Sequence, residues 1–586
     1  MKTNLKNIII GGLCLMGMTS CSLDEYNPSG SNAETIYSTE EGFGYLVNSA
    51  YYNFRAQFYG REDIMFLGEG GGDLWYMGQK GTYARQLMAY DDLSSTTGQI
   101  KNTWQRLYEI VNYCNAGLDR IDKVTFKDPQ TKLTKEGELR FLRAYTYWLI
   151  CEFYGNAVLR EHETVGVQLT AQRSPISDFY KLIIGDLERA TEILPVTQSD
   201  YGRADKKAAY GLLARTTLTY ASHLEYFENN KSAADPVYQQ AYDAAEYLIA
   251  NQSALGCKLY DTFEEVFMPE NNRNNAEALW SITHSTNSAL NPQPNNPNRL
   301  FMWYNSKYTA LCGMPSDEVL EYGMDNNRRM MPTKYLLNLF NEEIDSRYYS
   351  SFREVHILPE ESGTYTWTEN DIVVFNKSFD VSDNIQIQPG DTALFYTKKV
   401  IPDKASVKYG VKDINDLYNP NGSISDIATN NPYYPSLRKF RNPDRAKKSQ
   451  AGNKNVLVMR LAETYLIAAE AAYKLGDSDK ATARVNDIRK RAAVKEPVNR
   501  TQEMMIGAHE INIDFLLDER ARELCGEHLR WFDLKRTKQI ENRVGPGKAN
   551  PDITMFDPAR HYLRPIPQAE LDALENSEEF GQNPGY

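Results

Sequence analysis

Two short stretches carry side chains suited to holding a polar, ring-shaped ligand. The first is Gly70-Gly71-Gly72-Asp73-Leu74-Trp75-Tyr76-Met77-Gly78. Its glycines permit an irregular loop, Trp75 and Tyr76 offer flat ring faces, and Asp73 is an acceptor beside them. The second is Asn298-Arg299-Leu300-Phe301-Met302-Trp303-Tyr304-Asn305, which follows an Asn- and Pro-rich run over 291–298. If that segment is extended, Trp303 and Tyr304 cannot both point inward, because neighbouring side chains alternate. A sugar ring has an apolar C–H face that stacks on such rings, worth ~0.5–1.5 kcal/mol by analogy with aromatic pairs. Its hydroxyls need Asp, Asn, Gln or Arg at the edge. Trp280, in the alternating apolar run 277–282, fits a core strand first and a ligand contact second. The competing reading of Trp75 and Tyr76 is that they fill the core beneath the glycine loop.

The sequence carries no motif for chemistry on such a ligand. A glycosidase needs two carboxylates at ~5–5.5 Å or ~6.5–9.5 Å, and 78 acidic residues leave that rival open by counting alone. His162-Glu163 and His509-Glu510 do not extend to HExxH, and no GxSxG elbow occurs. Asp325-Asn326-Asn327 lacks the glycine and distal glutamate of a calcium loop. The glycine run has no GK[ST] and so is no phosphate cradle. The expectation is a binding protein with no catalytic residue, no metal and no cofactor. A net charge of −13 excludes nucleic acid as a natural partner, because phosphate binding needs a basic surface.

The elements that must position these residues are mostly helical. Over residues 39–250 apolar residues recur at helical spacing; Phe179, Leu182, Ile183, Leu187, Ala190 and Leu194 form one stripe, with Ser177 as N-cap and Pro195 as stop. Residues 207–215 alternate small and large side chains, and a further helix is expected over 238–250. Residues 456–536 repeat the style, with helices over 462–473 and 480–491 joined at Gly476-Asp477. Such pairs resemble tetratricopeptide repeats. Between them, residues 251–455 are rich in Asn, Pro, Gly and Tyr with short β-type runs such as 371–375. The fold expected is mostly α, a tetratricopeptide-like helical-repeat scaffold with a large loop-rich insertion carrying short strands. Five cysteines beyond position 21, widely spaced and in apolar contexts, read as buried free thiols.

The N-terminus has its own logic. Lys2 and Lys6 precede an apolar run over 8–18, far too short to cross a ~30 Å bilayer core. Thr19 and Ser20 then lead to Cys21. This resembles a lipoprotein signal, residues 1–20, cleaved before a lipidated Cys21; Met18 stands where such signals usually have Leu. The acidic stretch Ser22-Leu23-Asp24-Glu25 resembles a surface-export signal, and residues 21–32 read as a tether.

Four blocks carry a family resemblance: 208–215, 461–493, the charged run 517–536, and the tail with Arg564-Pro565-Ile566-Pro567 and Asn583-Pro584-Gly585-Tyr586. Together they resemble a SusD/RagB-type outer-membrane nutrient-binding lipoprotein. The resemblance implies one globular unit over 33–586, with residues 251–455 carrying the ligand loops. It implies capture of oligosaccharide or polysaccharide at the cell exterior and a SusC-like TonB-dependent transporter as partner. A peptide-binding member is the alternative. Read physically, 517–536 is a helix with one apolar side, its charges paired on or near the surface, and 537–586 is a docking segment held extended by Pro565 and Pro567. The substrate-binding residues expected are Asp73, Trp75, Tyr76, Trp303, Tyr304 and Trp280.

Overall fold

Apolar periodicity in the first half becomes seven principal helices, α1 Glu40–Asn53, α2 Glu62–Glu69, α3 Gly98–Arg120, α4 Pro129–Tyr154, α5 Ile176–Ile193, α6 Lys206–Tyr226 and α7 Lys231–Ala250. The computed structural model describes residues 33–586 except 79–80, 286, 288–297, 326 and 449. Cys21, the signal and the tether lie outside the described residues.

The stripe foreseen on α5 is its buried face: Phe179, Ile183, Leu187 and Ala190 are buried and Leu182 half-buried. Ser177 does not cap α5. Pro175 takes the extended cap position with φ −60° and ψ 149°, so the helix begins one residue before the serine. α7 starts earlier than its stripe, at Lys231, because Asn230 caps it by accepting from Ala233 N at 3.1 Å.

Successive helices pack in pairs, α4 on α5 and α6 on α7. Beyond the insertion come α8 Leu461–Lys474 and α9 Ser478–Ala492, which pack on each other, while α8 also packs on α7. The helical layer is thus continuous across a break of some 210 residues in the chain. A small residue also lets α6 meet the root of the insertion: a Cβ on Gly211 of α6 would stand 2.8 Å from Leu279 Cδ1.

The insertion is stitched at its root. Ala278–Ile282 pairs antiparallel with Val456–Arg460, so its entry and exit strands lie side by side. Trp75–Met77 pairs with Met330–Pro332, binding the early glycine loop to the insertion. A three-stranded sheet of Val355–Ile357, Thr392–Tyr396 and Gly410–Lys412 completes the strand content used here. The run 371–375 is not a strand. Glu369–Val374 is a short helix capped by Thr368, whose hydroxyl accepts from Asp371 N at 3.3 Å.

The charged run is the larger correction. It forms α10 Ile513–Leu524 and α11 Arg530–Arg536, and most of its charges are buried rather than solvated. Arg460 Nη1 donates to Glu277 Oε1 and Glu523 Oε1, both at 2.7 Å, and its Nε to Glu527 Oε2 at 2.6 Å. Arg347 Nη1 donates to Glu519 Oε1 at 2.9 Å and Glu523 Oε2 at 3.1 Å. Burial alone would raise the Glu523 carboxyl; Arg491, Arg460 and Arg347 outweigh it and hold it at about 2. The partners come from distant segments, so no local pattern announces the burial.

The tail docks on the end of α4: Arg564 N donates to Phe153 O at 2.6 Å and Asn583 Nδ2 to Tyr154 O at 2.9 Å. Cys114, Cys151, Cys257, Cys312 and Cys525 are buried and free, as their contexts indicated.

Candidate glycan-binding cleft

None of the six residues expected to meet ligand exposes more than 4% of its surface, and a stacking platform needs a free ring face. Trp75 fills the core because its indole donor has a partner there, Glu69 Oε2 at 2.7 Å. Its ring meets Tyr304 edge-on at 5.0 Å, so the two stretches do come together, but inside. Trp303 sits in the single helical turn Leu300–Trp303, so strand alternation does not apply and both neighbouring rings turn inward. Tyr76 donates its hydroxyl to Gly422 O. Asp73 is clamped by Arg530, with Nε to Oδ1 at 2.8 Å and Nη2 to Oδ2 at 2.6 Å, and by Arg543 Nη1 at 3.1 Å. Burial would raise its carboxyl, but the two arginines hold it below the usual range. Glu69, accepting also from Gly526 N at 3.2 Å and Leu529 N at 3.1 Å, is pushed by burial to about 7 against these donors.

Trp280 is core as well, ringed by Phe54, Phe141 and Tyr145. It nevertheless leads to an open site. Its Nε1 donates to Gly202 O at 3.0 Å, holding from behind the turn between α5 and α6. That turn, residues 200–203, forms a ridge between two contiguous lobes of about 470 Å³ and about 320 Å³ that share Asp200, Tyr201, Gly202, Arg203 and Ser281. Gly202 is required here: its φ is +93°, and a Cβ would stand 2.6 Å from Thr283 Cγ2 and 3.0 Å from Ser281 O.

The larger lobe is faced by α1. Its buried side carries Phe43, Leu46, Val47 and Ala50, which leaves Asn48, Tyr51 and Tyr52 toward the cleft. Past Asn53 the chain makes one wider turn, Phe54–Phe58, which carries Arg55 to the same lobe. Arg55 Cζ lies 5.6 Å from the Tyr52 ring, and its Nε is buried without a hydrogen-bond partner among the described residues.

One buried carboxylate braces the lobe. Glu138 Oε1 accepts from Tyr51 Oη at 3.1 Å and from Arg203 Nη1 at 3.0 Å, and its Oε2 accepts from Lys135 Nζ at 2.9 Å. Arg203 Cζ lies 5.1 Å from the Tyr51 ring. Burial, reinforced by Glu138, raises the Tyr51 phenol well above its ordinary range. Tyr51 and Arg203 are therefore fixed before any ligand arrives. In the smaller lobe Gln198, Asn274 and Asn275 supply amides, and Tyr201 shares a 3.2 Å hydrogen bond with Ser281 across the ridge. Half-buried rings with amides, a carboxylate and guanidiniums around them are the groups a glycan needs. The sequence reading missed this site. Its signal was a Tyr-Gly pair in the turn between two helices, and adjacent tyrosines on the polar side of a helix.

Residues 276–586 match the family model described as SusD family. The chain belongs to the SusD family. Residues 76–218 also match a family described as starch-binding and associating with the outer membrane. The ridge lies in the second of these segments and the strand behind it in the first. SusD-like protein P2 of Formosa agariphila is 24% identical over 588 residues, covering 98% of each chain. The starch-binding protein SusD of Bacteroides thetaiotaomicron is 24% identical, over 82% of this chain and 77% of that one. In three dimensions a SusD homologue of B. thetaiotaomicron superposes with a TM-score of 0.68 at 19% identity, over 94% of this SusD-family chain and 98% of the other. A laminarin-binding SusD-like protein superposes with a TM-score of 0.63 at 18% identity, over 94% and 100%. These likenesses extend the helical scaffold with its strand-bearing insertion to solved relatives.

Proposed function

We propose that this SusD-family protein captures oligosaccharide or polysaccharide in the two-lobed cleft and performs no chemistry on it. In this reading Tyr52 and Tyr201 offer ring faces to sugar, while Asn48, Asp200, Arg55 and Arg203 meet hydroxyls. The single observation that carries it is the Glu138 brace, which pre-positions Tyr51 and Arg203 at an open cleft lined with such groups. Pre-organised donors lose little freedom on binding. The family's outer-membrane association supports a place at the cell surface. Lipidation at Cys21 would anchor the chain there, facing outward, and a SusC-like TonB-dependent transporter would receive the glycan.

Affinity electrophoresis of the full-length protein against a polysaccharide panel tests this. Tyr52→Ala removes a stacking face worth about 0.5–1.5 kcal/mol, a two- to thirteen-fold loss of affinity. Unchanged affinity for every retained glycan removes the cleft from the reading. Peptide binding without glycan retardation favours the peptide alternative, and new reducing ends would refute the non-catalytic role.

A further inference from the structure

We propose that a second cavity, between the ends of α4, α6 and α11 and the C-terminal tail, binds a sugar acid. The cavity is about 850 Å³, within the range of small-molecule sites, and shares no residue with the cleft. Its walls include the apolar Ile176, Phe227 and Leu563.

Its charge runs against the composition. In a chain of net charge −13, four cations, Arg173, Lys535, Lys538 and Arg560, line this cavity against two carboxylates, Glu152 and Glu541. Both carboxylates are engaged: Glu152 Oε2 by Lys535 Nζ at 3.1 Å, and Glu541 Oε2 by the Tyr562 hydroxyl at 3.1 Å. Among the described residues the other three cations make no ion pair within 4.0 Å. Lys538 Nζ rests 4.7 Å above the Phe227 ring. Arg560 Cζ lies 4.3 Å from the Tyr586 ring, and its Nε is buried with no hydrogen-bond partner among the described residues. Arg173 Nε donates to Asn156 O at 2.7 Å, and its Nη2 to Asn583.

Rings and neutral oxygens hold these cations in place without cancelling their charge. An anion in the cavity would receive charge-assisted hydrogen bonds from side chains already aimed. His223 does not compete for it: burial first, then Lys535 and Lys538, push its imidazole to about 4, so it stays neutral at pH 7. It lies parallel to Phe227 at 5.4 Å and adds ring surface. Apolar and aromatic walls with cations among them match a sugar ring bearing one carboxylate. Lys538 follows α11, whereas Arg560 belongs to the tail. A ligand touching both would therefore clamp the tail to the scaffold.

Titration calorimetry of the full-length protein with glucuronate, glucose and inorganic sulfate tests the site. Glucuronate is expected to bind, with glucose and Lys538→Gln each weakening the interaction by about tenfold or more. Tyr52→Ala is expected to leave it unchanged, which keeps this result separate from the fate of the cleft. On the unaltered protein, glucuronate is expected to slow amide exchange over residues 559–563. No heat with glucuronate, equal affinity for glucose, or sulfate binding as tightly as glucuronate would overturn the proposal. So would full affinity in both Lys538→Gln and Arg560→Gln, or tail exchange unaltered by saturating glucuronate.

Discussion

Glu523→Gln keeps the shape of a buried carboxylate and removes its charge from among three arginines. The native oxygens accept from Arg460 Nη1 at 2.7 Å, from Arg347 Nη1 at 3.1 Å and from Arg491. No arginine is orphaned by the change. Arg347 keeps Asp345 and Glu519, Arg460 keeps Glu277 and Glu527, and Arg491 keeps Glu277. Breaking a buried pair costs ~3–5 kcal/mol, so the low end applies, about 3 kcal/mol. The titration of the group gives a consistent figure. Its folded pKa is depressed to about 2 from 4.5, so its stabilisation is present above 4.5 and is lost as pH falls from 4.5 through 2. At ~1.36 kcal/mol per unit that is again about 3 kcal/mol. An unfolding entropy of ~2.1 cal/mol/K per residue over roughly 550 residues converts this to a Tm lower by about 3 °C. Calorimetric melts of both proteins from pH 7 down to pH 2.5 are the assay. The difference is expected to be largest at neutral pH and to close as the native carboxylate protonates. Equal Tm values at pH 7, or a gap independent of pH, would refute the cage.

Glu69 acts in the opposite sense: its folded pKa is raised from 4.5 to about 7, so its stabilisation is full below 4.5 and lost as pH rises through 7. Because it accepts from Trp75 Nε1, the Trp75 indole N–H resonance is expected to titrate near pH 7; a flat response from pH 5 to 8 contradicts this. Gly202→Ala meets Thr283 and Ser281 at φ +93° and is expected to cost ~1–3 kcal/mol and weaken glycan retention, as read by melts and affinity gels; full retention would mean that the ridge does not matter. Trp75→Ala is expected to lower stability by ~3–5 kcal/mol, measured in denaturant; a fully stable variant that has lost only glycan binding would return Trp75 to a ligand surface.

The sequence was legible where structure is local. The α5 stripe, the small residues of α6 and the Gly476 turn follow from spacing and residue size, and two of the four family blocks, 208–215 and 461–493, fall on the last two of these. It was illegible where partners are distant. Trp75 between glycines resembles an exposed platform until Glu69, Gly526 and Tyr304 are seen around it. Charges at 517–536 resemble a wet helix face until Glu277, Arg347 and Arg460 arrive from elsewhere in the chain. The cleft was missed for a related reason: Tyr51 and Arg203 are unremarkable singly, one on α1 and one in a turn, and the Glu138 that joins them lies on α4.

The long reach of α11 has a consequence in time. Asp73 meets Arg530 457 residues later, and Glu152 meets Lys535 383 residues later. At ~5–20 residues per second, the early carboxylate waits roughly 20–90 s of synthesis for its partner. Through that interval the first third of the chain can close only by leaving these carboxylates in water or by burying them against a desolvation cost. A polypeptide broken off before residue 530 would keep Asp73 and Glu152 unanswered, however well its earlier helices formed. The turns of α11 thus act as a late closure, which supplies the charges that two early carboxylates lack until then.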